Sequence, residues 1–81
     1  MQTKDITDEW VILAYMQSKV EDMRRYPYDI LSTWTGAPFK VCYKAMERAS
    51  KRDYIEYGTS LRTGWPTDKG IQYVQSIRLR D

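Results

Sequence analysis

Histidine is absent from this 81-residue sequence, cysteine and phenylalanine occur once each, and glycine only four times. Each scarcity excludes something. Without His, no Ser-His or Cys-His nucleophile pair can be built, and the commonest general base and metal ligand is missing. Cys42 alone can form no intrachain disulfide and cannot furnish a cluster of thiolates for a metal. No glycine-rich phosphate loop, metal-ligand cluster or nucleophile–base pair can be picked out, so no enzyme, cofactor or metal is expected. The longest uncharged apolar-rich stretch, Trp10 to Ser18, is far shorter than the ~20 residues that span a bilayer. Met1 to Asp5 show no basic-then-apolar signal pattern. The expectation is a cytoplasmic protein with no membrane partner that acts by binding.

What is present fits one soluble domain over residues 1–81, with 42% hydrophobic and 30% charged residues. The net charge of +2 is weak, but its distribution is not even. Met1 to Met23 sum to −3, while Pro38 to Arg52 hold Lys40, Lys44, Arg48, Lys51 and Arg52 against Glu47 alone, a sum of +4. Asymmetry of this kind matters for anionic partners even when the total does not.

The pattern predicts four helices and a hairpin. Thr7 is a good N-cap, Asp8 and Glu9 suit the positive end of the first helix, and Ile6 and Val11 stand at the positions of a hydrophobic staple. Val11, Ile12, Tyr15, Met16 and Val20 recur at helical spacing and predict the buried stripe, which Trp10 extends. This helix is expected to fade between Ser18 and Met23. Pro27 breaks the chain and opens a short second helix over Tyr28 to Thr35, with Ile30, Leu31 and Trp34 on one face and Gly36 as its left-handed end. The third helix is expected from Ala37 or Pro38 to Arg52, with Cys42, Ala45, Met46 and Ala49 as its core stripe. In that stripe Cys42 reads as a core thiol rather than a redox sensor. Tyr54 to Tyr57 read as a strand, Gly58 to Gly64 as a turn, and Trp65 as the start of a return strand limited by Pro66. Thr67 caps a fourth helix over Asp68 to Ile77, with Ile71, Val74 and Ile77 inward and Leu79 to Asp81 frayed. Tyr15 and Tyr54 read as core, Trp10 and Trp65 as structural.

Two stretches carry a family resemblance. Gly36-Ala37-Pro38-Phe39-Lys40-Val41-Cys42-Tyr43-Lys44-Ala45-Met46-Glu47-Arg48 continues through Ala49-Ser50-Lys51-Arg52-Asp53-Tyr54-Ile55. Its small-residue turn, Tyr-basic-Ala triplet and following Arg are similar to the G-L-S-x-x-T-V-Y-R-A-L-K-R-L-E-x-K-G-L-I stretch of bacterial winged-helix regulators of the PadR and MarR kind. Pro66-Thr67-Asp68-Lys69-Gly70 resembles their L-T-x-x-G before the last helix. Asp53 replaces the family's Gly, Ala49 replaces a Leu whose space Trp34 or Trp65 is expected to fill, and Val41 replaces a polar residue. The resemblance implies an α+β, mostly α fold: a winged helix-turn-helix with a three-helix core, a β-hairpin wing and a C-terminal helix.

It further implies binding to double-stranded DNA, as a transcriptional regulator of a bacterium or phage. Helix 3 (38–52) would enter the major groove, with Pro38, Phe39, Lys40, Tyr43 and Lys44 toward base edges and Arg48 on the phosphate backbone. Hairpin 54–66 would be the wing, its Arg62 near the minor groove or a phosphate. Arg24, Arg25 and Tyr28, at the entry to the second helix, are candidates for a further phosphate contact. A homodimer through the first and fourth helices is expected on the same grounds, with Ala14, Tyr73 and Leu79 as interface candidates. The weak net charge, Glu47 in mid-helix and the acidic first helix support an alternative: a protein-interaction module, such as a phage-encoded inhibitor of a host protein.

Overall fold

The computed structural model describes residues 6–22, 24–56 and 64–80, with residues 79 and 80 described by their backbone alone. Its elements run α1 (Asp8–Val20), α2 (Pro27–Thr35), α3 (Phe39–Lys51), β1 (Ile55–Glu56), β2 (Trp65–Pro66) and α4 (Asp68–Arg80). The fold is α+β and mostly α. Arg62 and Tyr57 lie outside the described residues.

Local chemistry sets most of the boundaries. The Trp10 backbone N–H donates to the Thr7 hydroxyl at 3.3 Å and caps α1. Pro27 is the first residue of α2, one position before the predicted start, where its missing N–H costs nothing. Pro38 is the N-cap of α3 rather than a residue of its first turn. Gly36, at φ 75°, and Asp53, at φ 65°, take the left-handed conformation that ends α2 and turns the chain out of α3. Thr67 opens α4, accepting the Gly70 N–H at 3.0 Å while donating its own hydroxyl proton to the Asp53 carbonyl at 2.6 Å. The α4 helix continues to Arg80, past the expected end at Ile77, because nothing after Ile77 breaks it.

The core gathers Ile6, Val11, Ile12, Ala14 and Tyr15 with Ile30 and Leu31 of α2 and the α3 stripe Cys42, Ala45, Met46 and Ala49. Ile55 and Val74 complete it from β1 and α4. The predicted stripe of α3 is therefore correct, and that of α1 is half correct. Met16, Val20 and Trp10 are exposed, and Ala14 and Ser18 are buried in their stead. Small residues let α1 approach its neighbours closely, and the Ser18 hydroxyl donates to the Arg25 carbonyl at 2.7 Å. Trp34 and Trp65 are also exposed. Beside Ala49 the chain itself closes in. The Tyr54 N–H donates to the Ala49 carbonyl at 3.0 Å, and a Cβ on Gly70 would stand 2.1 Å from the Tyr54 carbonyl oxygen. Only glycine admits α4 that close to the Tyr54 backbone, just before β1. The two strands pair antiparallel, with Ile55 opposite Pro66 and Glu56 opposite Trp65.

Candidate functional site

The connection between α2 and α3 has three residues, Gly36 to Pro38, and is tied at several points. The Gly36 N–H donates to the Ser32 carbonyl at 2.8 Å, and the Ser32 hydroxyl donates to the Ala37 carbonyl at 2.8 Å. The Ala37 N–H donates to the Thr35 hydroxyl at 3.2 Å, while that hydroxyl donates to the Leu31 carbonyl at 2.7 Å. With Ala37 buried beneath it, this turn holds the start of α3 at a set angle to α2. Cys42 lies under the same turn, its sulfur 3.8 Å from the Ala37 carbonyl, and burial pushes its thiol above the ordinary value. A buried thiol kept protonated is a packing group, not a nucleophile.

The outer side of this junction is aromatic. The Tyr28 ring meets Phe39 edge-on with centroids 4.9 Å apart, lies 6.4 Å from Tyr43, and stacks on Tyr26 at 5.9 Å. These separations fall in the range where ring pairs attract beyond their simple burial. Phe39 is the exposed end of the cluster, at 54%. Phe39, Lys40, Tyr43, Lys44 and Glu47 line a shallow open groove of about 370 Å³ along the outer face of α3. Lys40 and Lys44 are exposed, and neither forms an ion pair or hydrogen bond among the described residues. Phe39, Lys40, Tyr43 and Lys44 are thus brought together as expected, with the exposed Pro38 at their head and Tyr28 joined to them through its ring.

The remaining predicted residues go elsewhere. Arg48 turns away from this face: its Nε donates to Asp8 at 3.0 Å, and one terminal nitrogen donates to the Ile6 carbonyl. Arg52 reaches the other oxygen of the same carboxylate at 2.5 Å. Asp8 is 5% exposed, so this pair of guanidinium groups neutralises a buried charge and ties α1 to the end of α3. The expected phosphate role of Arg48 gives way to that internal demand. Arg25 is likewise engaged, donating twice to the Glu21 carboxylate at 2.9 and 2.7 Å. The hydrogen bond from Arg25, with a second from Gln17, holds the Glu21 carboxyl down from 4.5 to about 2. Arg24 is exposed beside Val20, Glu21 and Asp22, with two carboxylates for neighbours. Of the interface candidates, Ala14 is fully buried within the chain, and Tyr73 is stacked on Tyr54 at 4.6 Å. The Leu79 side chain lies outside what is described.

No protein-family model, no curated protein and no solved structure matches this chain. The described residues hold no group of His, Cys, Asp and Glu side chains placed for a metal ion, and no helix among them is long and apolar enough to cross a membrane.

Two features were not anticipated. One is the stacking of Tyr26 on Tyr28, signalled only by the Tyr-Pro-Tyr spacing. The other is an apolar groove on a different side, where Trp10 and Trp34 meet at 5.6 Å. Helical spacing alone puts both tryptophans on buried faces, whereas both are exposed.

Proposed function

We propose that this chain is a winged helix-turn-helix DNA-binding protein, a transcriptional regulator of the bacterial or phage kind. The element order supports this reading: two helices, a three-residue turn, a third helix, an antiparallel strand pair and a last helix. In it, α3 enters the major groove and the strand pair lies in the position of the wing. The observation that carries it is the first two turns of α3, where Lys40 and Lys44 flank Phe39 and Tyr43 on one open face. Two exposed ammonium groups, unpaired among the described residues, supply phosphate or guanine contacts, and an exposed aromatic ring supplies an apolar contact to a thymine methyl. Arg62 would add a wing contact. Arg48 is left out, being committed to Asp8.

The test is a fluorescence titration of labelled random-sequence duplex at ~50 and ~200 mM salt, with the double variant Lys40→Ala, Lys44→Ala beside the parent. The parent should bind and lose affinity steeply with salt. The double variant should show a log–log salt slope shallower by roughly 1.8, at ~0.9 per lost phosphate contact. An unchanged slope sinks the assignment of α3. One observation favours the protein-interaction reading: Glu47 lines the same groove and would face any phosphate laid along it. A folded parent that binds no duplex at ~50 mM salt would decide for that alternative.

A further inference from the structure

We infer that the outer face of α3 holds an unstacked nucleobase of a single strand, one that carries an exocyclic amino group, with the flanking phosphates on Lys40 and Lys44. The inference uses the face of the duplex-binding reading without resting on it, because a base stacked on these rings has left its duplex. Along α3, Phe39, Tyr43 and Glu47 stand at every fourth position on one line, and Lys40 and Lys44 run beside them on the next. Together they line the groove of about 370 Å³. Its floor is aromatic. Phe39 is more than half exposed, and Tyr28 meets both rings, edge-on to Phe39 at 4.9 Å and tilted against Tyr43 at 6.4 Å. Rings packed in this way lose little freedom when a ligand lies on them.

The charges select the occupant. Lys40, Lys44 and Glu47 are exposed, and none of them makes an ion pair among the described residues. Asp29, in the adjoining first turn of α2, accepts the Tyr26 N–H at 3.3 Å as part of that helix's cap. Lys51 lies a turn beyond Glu47, outside the groove lining. The groove thus sets two cations along one side of a ring floor and one carboxylate at its end. An intact duplex offers base edges and phosphates, and a phosphate laid along this line would meet Glu47. A single strand offers base faces as well, and proteins take these on aromatic rings beside a cationic track. Neighbours on one helix line stand roughly 5–6 Å apart, so a base on Tyr43 brings its edge to Glu47. The carboxylate then accepts an amino hydrogen, the contact that Glu makes to cytosine N4. In this arrangement the one acid of the groove adds to binding instead of opposing it.

The experiment is an anisotropy titration of the full chain with labelled strands of ~12 nucleotides at ~50 mM salt: deoxycytidine, deoxythymidine, and an abasic strand of equal charge. The cytosine strand should bind ~3–10-fold more tightly than the thymine strand, whose base has an acceptor oxygen where cytosine has its amino group. It should bind at least ~10-fold more tightly than the abasic strand. Phe39→Leu keeps apolar bulk and removes the ring face at an exposed position, so its far-ultraviolet dichroism should match the parent. Its affinity for the cytosine strand should fall ~10-fold and its affinity for the abasic strand should hold. Glu47→Ala should erase the preference for cytosine without weakening the thymine strand. A cytidine ribonucleotide strand separates the sources: binding to either sugar upholds the inference, and the tighter one names the nucleic acid. An abasic strand that binds like the cytosine strand overturns the inference, since the lysines would then act alone. A folded Phe39→Leu variant that binds like the parent overturns it too, as does a cytosine preference that is missing in the parent or survives Glu47→Ala. Duplex binding without single-strand binding overturns it and leaves the duplex reading standing. Base-dependent single-strand binding without duplex binding does the reverse.

Discussion

In the first two turns of α3, Lys40 and Lys44 stand in solvent beside Phe39 and Tyr43, whereas at its far end Arg48 and Arg52 converge on the buried carboxylate of Asp8. These four residues belong to one segment of charge +4 and recur every fourth position, yet two of them serve the fold. The difference lies in what each side chain can reach. Arg48 and Arg52 lie where α3 passes the start of α1, and an acid there without a partner would carry the full cost of desolvation. Lys40 and Lys44 lie beyond the reach of α1, next to a rigid turn and an aromatic cluster. Charge summed along a segment overstates what is available to a ligand, because Asp8 engages two of its cations while Lys40 and Lys44 stand open.

The sharpest way to break this division is Arg48→Ala. It strips Asp8 of one guanidinium and the Ile6 carbonyl of its donor. The expected loss is about 2 kcal/mol, tempered because Arg52 stays in place, and it should lower the melting temperature by ~10 °C in a domain of this size. The salt slope of duplex binding should not move. Calorimetry and titration of the same preparation check both halves. A variant with an intact melting temperature and a shallower slope would put Arg48 back on the phosphates.

A smaller effect is expected at Phe39. Phe39→Ala removes an exposed ring and one edge-on contact to Tyr28, so its stability cost should stay near ~1 kcal/mol or below. Its binding cost should depend on the DNA. Once a preferred site is selected, replacing each thymine by uracil removes only a methyl group. The parent should lose ~3–10-fold at the thymine that faces Phe39, and Phe39→Ala should lose nothing further there, as measured by a two-by-two cycle of affinities. A parent indifferent to every replacement would reduce Phe39 to a packing residue.

The features legible in the sequence were those whose cause is local. Thr7, Gly36, Asp53 and Thr67 mark their boundaries through their own backbone or hydroxyl chemistry. The α3 stripe was legible because Cys42, Ala45, Met46 and Ala49 form the one line on that helix free of the charged Lys40, Lys44, Glu47, Arg48 and Lys51. On α1 the same reasoning chose partly wrong. With apolar residues on two sides, period alone cannot say which side meets the core, and Met16 and Val20 were assigned inward when Ala14 and Ser18 are there. Phe39, Lys40, Tyr43 and Lys44 share a face by helical spacing, so their grouping was legible too. The loss of Arg48 to Asp8, forty positions away in the chain, was not, because it depends on how α1 crosses α3.

Glu47 offers a change of opposite sign. It is the one acid lining the basic groove, and it makes no ion pair among the described residues. Glu47→Gln keeps the shape and removes the charge. If phosphates lie along this face, duplex affinity should rise ~2–5-fold at low salt, and the gain should fade as screening increases. If the face instead meets a basic protein partner, duplex binding should be unaltered and the partner's affinity should fall. The direction of this modest effect separates the two readings in a way its size does not.

The least effect belongs to the local counterpart of the Asp8 cluster, the Glu21–Arg25 pair at the end of α1. The Arg25 and Gln17 side chains hold the Glu21 carboxyl at about 2, below its ordinary 4.5, so the folded state favours the ionised form. A group depressed in the folded state stabilises it fully above its unfolded value and loses that contribution as pH falls through the folded one. The pair's contribution should therefore be complete above pH 4.5, shrink between 4.5 and about 2, and vanish below. Subtracting the melting curve of Glu21→Gln from that of the parent across this window isolates it, and a flat difference would mean the pair adds nothing. The pair spans a single turn, so little chain is constrained by it, whereas Asp8 joins segments forty residues apart. The Arg48→Ala loss should exceed the Glu21→Gln loss at neutral pH. The reverse order would mean that α3 is held by its apolar stripe alone, with its arginines free for another use.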